Sequence, residues 1–187
     1  MTPLLTTERL YLRVATDKDL GAVLEFFRSN RDFLEPYEPP RPDGFYSERF
    51  WREQLSRHRR AFEAGTAILL FMFAKEASSR VVGQLSFTGI VRGAAQMCYL
   101  GYALAEAEQG KGYMTEALRE AIRYMFEEQN LHRIMANFMP TNQRSNNVLR
   151  RLGFAIEGYA RDYLLIKGEW RDHVLSSITN PSWQPED

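Results

Sequence analysis

Residues 96–128 read QMCYLGYALAEAEQGKGYMTEALREAIRYMFEE: a strand, a glycine-bearing loop and a helix in direct succession. Gln96–Leu104 has the apolar and aromatic composition of a strand. The helix announces itself by Met114, Ala117, Leu118, Ala121, Ile122 and Met125, which step by three and four. Between them lies Glu106-Ala-Glu-Gln-Gly-Lys-Gly112. Gly110 and Gly112 lack a Cβ, so ligand atoms can come close to the backbone. The loop runs straight into a helix whose first amides have no internal partner. Those amides and the helix dipole suit a phosphate or pyrophosphate. Lys111 adds a cation and Thr115 a first-turn hydroxyl. Two nucleotide motifs are excluded: a P-loop needs Lys after its second Gly, where Tyr113 stands, and a dinucleotide fingerprint needs Gly where Thr115 stands.

Outward from this core, Arg9–Val14 alternates as a half-buried strand. Asp17 is placed to cap a helix carrying Leu20, Val23, Leu24, Phe26 and Phe27. Phe33–Pro42 holds four prolines and reads as a stiff irregular loop. Ser47 starts a helix from Glu48 to about Ala64 that ends near Gly65. Thr66–Ala74 and Val81–Val91 read as strands joined by the turn Lys75–Arg80, and Gly93 turns the chain into Gln96–Leu104. Three strands in succession predict an antiparallel meander. Beyond the central helix come a strand Arg133–Met139 stopped by Pro140 and a short helix Asn142–Leu152 closed by Gly153. Strands Ala155–Ile166 and Glu169–Ile178 follow, around the turn Lys167-Gly168. The fold class expected is a single mixed α/β (α+β) domain over 1–187, with a core of about 8–180 and a loose tail at 181–187.

Composition narrows the function. A chain of 187 residues fits one domain of ~100–200. Lys plus Arg and Asp plus Glu number 24 each, which argues against a nucleic-acid coat or a polybasic membrane binder. One cysteine, Cys98, suits a reducing cytoplasm, and mid-strand with no adjacent cation it reads as a buried inert thiol. His58, His132 and His173 make no metal-ligand spacing with it, so no metal is expected. MTPLLTTERLYLR carries no signal-peptide pattern, and the apolar run Ala67–Ala74 is too short to span a bilayer.

Gln109-Gly-Lys-Gly112-Tyr-Met114 resembles the Q/R-x-x-G-x-G/A motif of the GNAT N-acetyltransferases, with Met114 in the last small position. Asn142-Gln-Arg-Ser145 is similar to that family's N-x-x-S stretch, and Leu152-Gly-Phe154 to the turn that follows it. Tyr99–Tyr102, His132–Asn137, Glu157–Tyr163, Trp170–His173, Pro36–Pro39 and Val91–Gly93 resemble the branch that acetylates N-terminal alanine of ribosomal proteins. Together these cover about residues 8–183. The resemblance implies a mostly antiparallel mixed sheet with flanking helices. In it the strands 97–104 and 133–139 lie parallel and splay apart around acetyl-CoA. It implies that Tyr102, Ala103 and Leu104 offer backbone groups to the pantetheine, and that an N–H near Leu100–Tyr102, with Leu100 foremost, holds the thioester oxygen. Gln109, Gly110, Lys111, Gly112, Tyr113, Met114 and Thr115 would hold the pyrophosphate. Asn137, Asn142 and Ser145 would contact the donor, Ser145 and Asn142 nearest the chemistry.

The departing sulfur benefits from a proton donor, and Ser145 holds that motif position, with Tyr159 and Tyr163 as alternatives. Some relatives carry Glu where Asn137 stands, and Asn takes no proton. Glu38, Glu106, Asp162 and Asp172 are substitutes; alternatively little base is needed, since about a quarter of free α-amines are neutral near pH 7.4. Tyr37 and Glu38 are expected at the peptide entrance, with Glu38 receiving the ammonium. The helix 48–64, rich in Arg, is either a solvated face or a contact with ribosomal RNA. The expectation is a cytoplasmic acetyl-CoA-dependent N-acetyltransferase acting on a ribosomal protein N-terminus. The alternatives are a GNAT enzyme for a small amine and a non-catalytic CoA- or RNA-binding module.

Overall fold

The computed structural model describes residues 4–185. The strands are β1 (Leu4–Thr6), β2 (Leu10–Arg13), β3 (Ile68–Ala74), β4 (Ala77–Val91), β5 (Met97–Leu104), β6 (Arg133–Met135), β7 (Ala155–Ile166) and β8 (Glu169–Thr179). The helices are α1 (Leu20–Ser29), α2 (Arg31–Leu34), α3 (Glu48–Glu63), α4 (Tyr113–Glu127) and α5 (Gln143–Arg151). One sheet runs β1-β2-β3-β4-β5-β6-β8-β7, antiparallel throughout except for β5 with β6.

The continuous apolar run of β3 has a direct cause: the strand is buried on both faces. Leu70 and Met72 join one core with Leu85, Phe87, Leu118 and Met125. Phe71 and Phe73 point the other way, into a core with Val23, Phe27, Trp51 and Leu55. Period two along the strand divides them. Thus α4 and α5 cover one face of the sheet, while α1 and α3 cover the other. The second core is aromatic: Phe27 stacks on Trp51 at 4.4 Å, and Phe45 meets both edge-on. Each fully buried large side chain contributes about 1.5–3 kcal/mol.

Several boundaries differ from expectation. Asp17 does not cap α1; it begins a 3-10 turn, Asp17–Asp19. The cap is Thr16, whose N–H and hydroxyl both reach the Asp19 carboxylate (2.8 and 3.0 Å), which Arg13 also grips. Burial alone would raise the Asp19 pKa, but these bonds outweigh it and hold the carboxyl below its usual range. The proline segment is not wholly irregular: α2 and a 3-10 turn at Glu35–Tyr37 precede its extended part. Pro36 stands in the first turn, where its missing N–H costs nothing. The turn after β3 is shorter than Lys75–Arg80, because β4 already pairs at Ala77 after a bulge. The hairpin turn at Lys167-Gly168 is as read; both residues have positive φ (49° and 82°), the geometry of tight hairpins. Trp183 is held on the loop before β6: its Nε1–H donates to the Asn130 carbonyl at 3.0 Å, and its ring meets His132 at 5.8 Å. The expected loose tail therefore begins with an anchored segment; residues 186 and 187, like 1–3, lie outside the described part.

Candidate active site

The parallel pairing of β5 with β6 ends early. Its last rung sets Tyr99 against Met135. Beyond it the chain leaves β5 and follows β8: Ala136 N–H donates to Ser176 O at 2.9 Å, and Phe138 exchanges two bonds with Val174. The Ser176 hydroxyl also donates to the Ala136 carbonyl. A wedge therefore opens between β5 and residues 136–139. The expected strand to Met139 is thus three residues long, and β8, rather than Pro140, ends its pairing with β5.

Strand period fixes which backbone groups face this wedge. Ala105 N–H bonds Val82 O at 2.8 Å on the β4 side, so the groups of Ala103 also point at β4. Those of Leu100, Tyr102 and Leu104 point at the wedge. Two expectations change here. The parallel register directs the Leu100 N–H at the Met135 carbonyl as the final ladder bond, so Leu100 is not an open donor. Ala103 offers its backbone to β4 instead of to a ligand. The Leu104 carbonyl accepts from Gln109 Nε2 at 3.2 Å, which ties the motif glutamine to the strand end. Tyr102 N–H is the first donor past the ladder.

A cavity of about 350 Å³ fills the wedge. Its walls bring together Leu100, Tyr102, Ala103, Leu104, Gln109, Met114, Asn137, Asn142 and Ser145, with Tyr37 and Glu38 on the far side. Tyr102 OH and Ser145 Oγ lie 2.7 Å apart. Burial pushes the Tyr102 phenol up to about 12, against a smaller lowering from Ser145, so it keeps its proton near neutral pH. Asn142 caps α5: its Oδ1 accepts Ser145 N–H at 3.1 Å, which leaves its NH₂ for the cavity. Asn137 is held from both ends, Nδ2 donating to Tyr163 OH at 3.0 Å and Oδ1 accepting Ser176 N–H at 3.4 Å.

The loop at the mouth of α4 gives the helix no side-chain cap. Gly112 is the N-cap residue at φ 82°, with no side chain to serve the first-turn amides of Tyr113, Met114 and Thr115. Gly110 sits at φ 76° with open space where a Cβ would be. Arg9 braces the loop from outside, donating to Lys111 O at 2.9 Å and to Glu116 Oε2 at 2.7 Å. The Tyr113 ring turns inward beneath that guanidinium, 4.5 Å away. Lys111 is not a lone cation: its Nζ is 2.8 Å from Glu108, which also holds Arg80. Burial resists ionisation of Glu108, but the bonds from Lys111 and Arg80 outweigh it and keep its pKa low. Arg80 also pairs with Glu76, so Arg9, Arg80 and Lys111 meet Glu76, Glu108 and Glu116, three cations against three carboxylates.

The remaining candidates separate. Tyr159 is 57% exposed and donates to Asp172, and Asp162 sits in a β7 bulge; with Glu106, none of them lines the cavity. Glu38 lines it but already bonds Arg41 through Oε2 (2.9 and 2.5 Å). Its carbonyl accepts Lys167 N–H at 3.2 Å, docking the proline segment on the β7–β8 turn. A larger open depression of about 690 Å³ beside that turn contains none of the donor-side residues. Cys98 is buried, which pushes its thiol up to about 12, as an inert thiol requires. The cavity also gathers His173, Arg144, Phe33 and Ser86, which sequence reasoning did not assign. For His173 a signal existed: it ends the stretch Trp170–His173.

This fold and wedge define an acetyltransferase: the chain belongs to the GNAT family, whose acetyltransferase (GNAT) domain model matches residues 9–155. It is 45% identical over 181 residues to the ribosomal protein uS5-alanine N-acetyltransferase of Escherichia coli K12, covering 97% of this chain and 93% of that one. The solved ribosomal-protein-S5-alanine acetyltransferase from Vibrio fischeri superposes with a TM-score of 0.93 at 34% identity, covering 98% of this chain and all of that one. RimJ of Mycobacterium smegmatis, solved in complex with CoA-disulfide, gives a TM-score of 0.86 at 30% identity over 95% of this chain and 86% of that one.

Proposed function

We propose that the chain transfers the acetyl group of acetyl-CoA to the N-terminal α-amine of a ribosomal protein, alanine foremost, by direct attack in a ternary complex. The observation that carries this is the wedge. There an open backbone donor on Tyr102 and the Tyr102–Ser145 hydroxyl pair face one cavity. The relatives named for ribosomal-protein alanine acetylation support the substrate class.

Acetyl-CoA supplies an acyl group already activated as a thioester. The open amides of Gly110–Thr115, with Lys111, hold the pyrophosphate. The Tyr102 carbonyl and the Leu104 N–H pair with the pantetheine amides. Tyr102 N–H holds the thioester oxygen as charge develops on it. Ser145 Oγ passes a proton to the departing sulfur and takes one from Tyr102, which regains its own from solvent. A C–N bond forms, a C–S bond breaks, and the amine proton leaves toward solvent. Tyr37 and Glu38 wall the peptide entrance, Glu38 with its Oε1 free of Arg41. The setting proposed is the cytoplasm; no helix among the described residues is long and apolar enough to cross a membrane.

Acetyl-CoA-dependent thiol release with an alanine-starting peptide, set against a polyamine and an aminoglycoside, tests this reading. Turnover of only the small amines overturns it, as does no turnover with any. Ser145→Ala tests the acid. Since Asn142 is the cap, the variant loses one hydrogen bond, about 0.5–1.5 kcal/mol of stability. Its kcat is expected to fall about 100-fold. A folded variant with wild-type kcat removes Ser145 from the mechanism.

Contact with ribosomal RNA is proposed for α3. Arg49, Arg52 and Arg59 pair with Glu53, Glu48 and Glu63, while Arg57 and Arg60 carry no ion pair among the described residues. Replacing Arg57, Arg59 and Arg60 with Ala should weaken ribosome association and flatten its salt dependence, by about 0.9 in slope per lost phosphate contact. Turnover of a free peptide should not change. Equal ribosome binding returns α3 to a solvated face.

A further inference from the structure

We propose that His173 is the base of this site: its Nε2 accepts the proton that the α-amine loses as the C–N bond forms, directly or through one water. The inference rests on the acetyl-transfer reading above.

His173 is 4% exposed yet forms part of the cavity wall. Its Nδ1 lies 2.9 Å from the Arg171 carbonyl of its own strand. A carbonyl only accepts, so Nδ1 carries the proton and neutral imidazole keeps its lone pair on Nε2. No protein group among the described residues bonds Nε2. Nε2 is not one of the sealed unpartnered nitrogens among the described residues, which are Trp51 Nε1 and His58 Nδ1, so it is open to the cavity that His173 lines.

The surroundings hold the ring in place. The β7 bulge between Ala160 and Leu164, with Asp162 at φ 47°, accompanies the approach of Tyr163 to His173, ring centres 5.5 Å apart. Tyr163 OH in turn accepts from Asn137, and Asn137 and His173 both line the cavity. Asn137 takes no proton. Among the charged groups nearby, Asp172 is turned to Tyr159 and the Asp162 N–H, Arg171 pairs with Glu169, and Arg144 lies over the Phe33 ring. Glu38, the cavity's carboxylate, is bonded by Arg41. His173 is therefore the uncommitted base in the wall.

The step balances. The amine nitrogen bonds the acetyl carbon and gives its proton to Nε2; the sulfur leaves with the proton passed through Ser145. His173 then releases its proton to solvent.

The test is kcat/KM for an alanine-starting peptide against pH, in wild type, His173→Asn and His173→Gln. With imidazole and amine both required neutral, log kcat/KM for wild type should rise with a slope approaching two at the acid end. Either variant should fall by about 100-fold, keep its KM for acetyl-CoA, and show a slope of one. A folded variant within threefold of wild type, or one equally impaired at every pH with the acid slope unchanged, overturns the assignment. Wild type that leaves the peptide unmodified overturns the substrate reading, and this inference with it. If neither variant folds, ¹⁵N NMR of the wild-type imidazole decides: Nε2 must be the unprotonated nitrogen when the ring is neutral, and an Nε2–H tautomer rules it out as acceptor.

Discussion

Gly112→Glu should fold and fail to bind CoA. In calorimetry its affinity is expected to fall at least ~100-fold, about 2.7 kcal/mol. Two effects act together. Gly112 sits at φ 82°, where a side chain costs about 1–2 kcal/mol, so the loop presenting the first amides of α4 relaxes or strains. The new carboxylate also stands at the helix N-terminus, where it competes with a pyrophosphate for the same amides and dipole. An added Cβ meets only Arg9 Nη2, at 3.5 Å, so the fold has room for it. Gly112→Ala separates the two effects, since it carries the strain without the charge and should lose less affinity. Unchanged CoA affinity in Gly112→Glu would move the donor site away from α4.

The second large effect concerns which amine reacts. At pH 7.4 about a quarter of α-amines are neutral, against roughly one lysine in a thousand. Among the described residues the carboxylate on the cavity wall is Glu38, whose Oε2 is bonded twice by Arg41 at the peptide entrance, and Asn137 takes no proton. His173, as the base, takes the proton only as the bond forms and does not supply a neutral lysine beforehand. An alanine-starting peptide should therefore react at least ~100-fold faster than the same peptide with a blocked terminus and an internal lysine. Its rate should rise through about pH 7–8.5 as the α-amine ionises. Asn137→Glu should add little for the α-amine, and it would break the bonds that Asn137 makes to Tyr163 and Ser176.

Local chemistry made most elements legible. Ser47 accepts Phe50 N–H, Asn142 accepts Ser145 N–H, and Lys167-Gly168 turns the hairpin, as turn and cap residues announce. The strand–loop–helix at 97–127 was readable from period and glycines alone. What was not legible is what depends on a distant partner. The strand after Arg133 changes partner because Ser176, forty residues on, takes Ala136. That exchange opens the wedge, and it also places the Leu100 N–H in the ladder, which leaves Tyr102 as the open donor within the expected Leu100–Tyr102 stretch. Lys111 looked free because Glu108 and Arg80 meet it only in the folded chain. Tyr102 was read for its backbone, and its hydroxyl turned out to touch Ser145 across 43 residues. His173 carried no assigned role because the ring beside it, Tyr163, comes from β7, and Asn137, which bonds Tyr163, comes from the chain beyond β6.

Acetyl transfer to an N-terminal α-amine is decided by where the acetyl group lands. The substrate is one peptide that begins with a free alanine and carries an internal lysine; it is incubated with acetyl-CoA and the protein and sequenced by tandem mass spectrometry. The account predicts a single acetyl group on the alanine nitrogen, with the lysine unmodified. Acetyl on the lysine, or an unmodified peptide from protein that acetylates a polyamine, would contradict it.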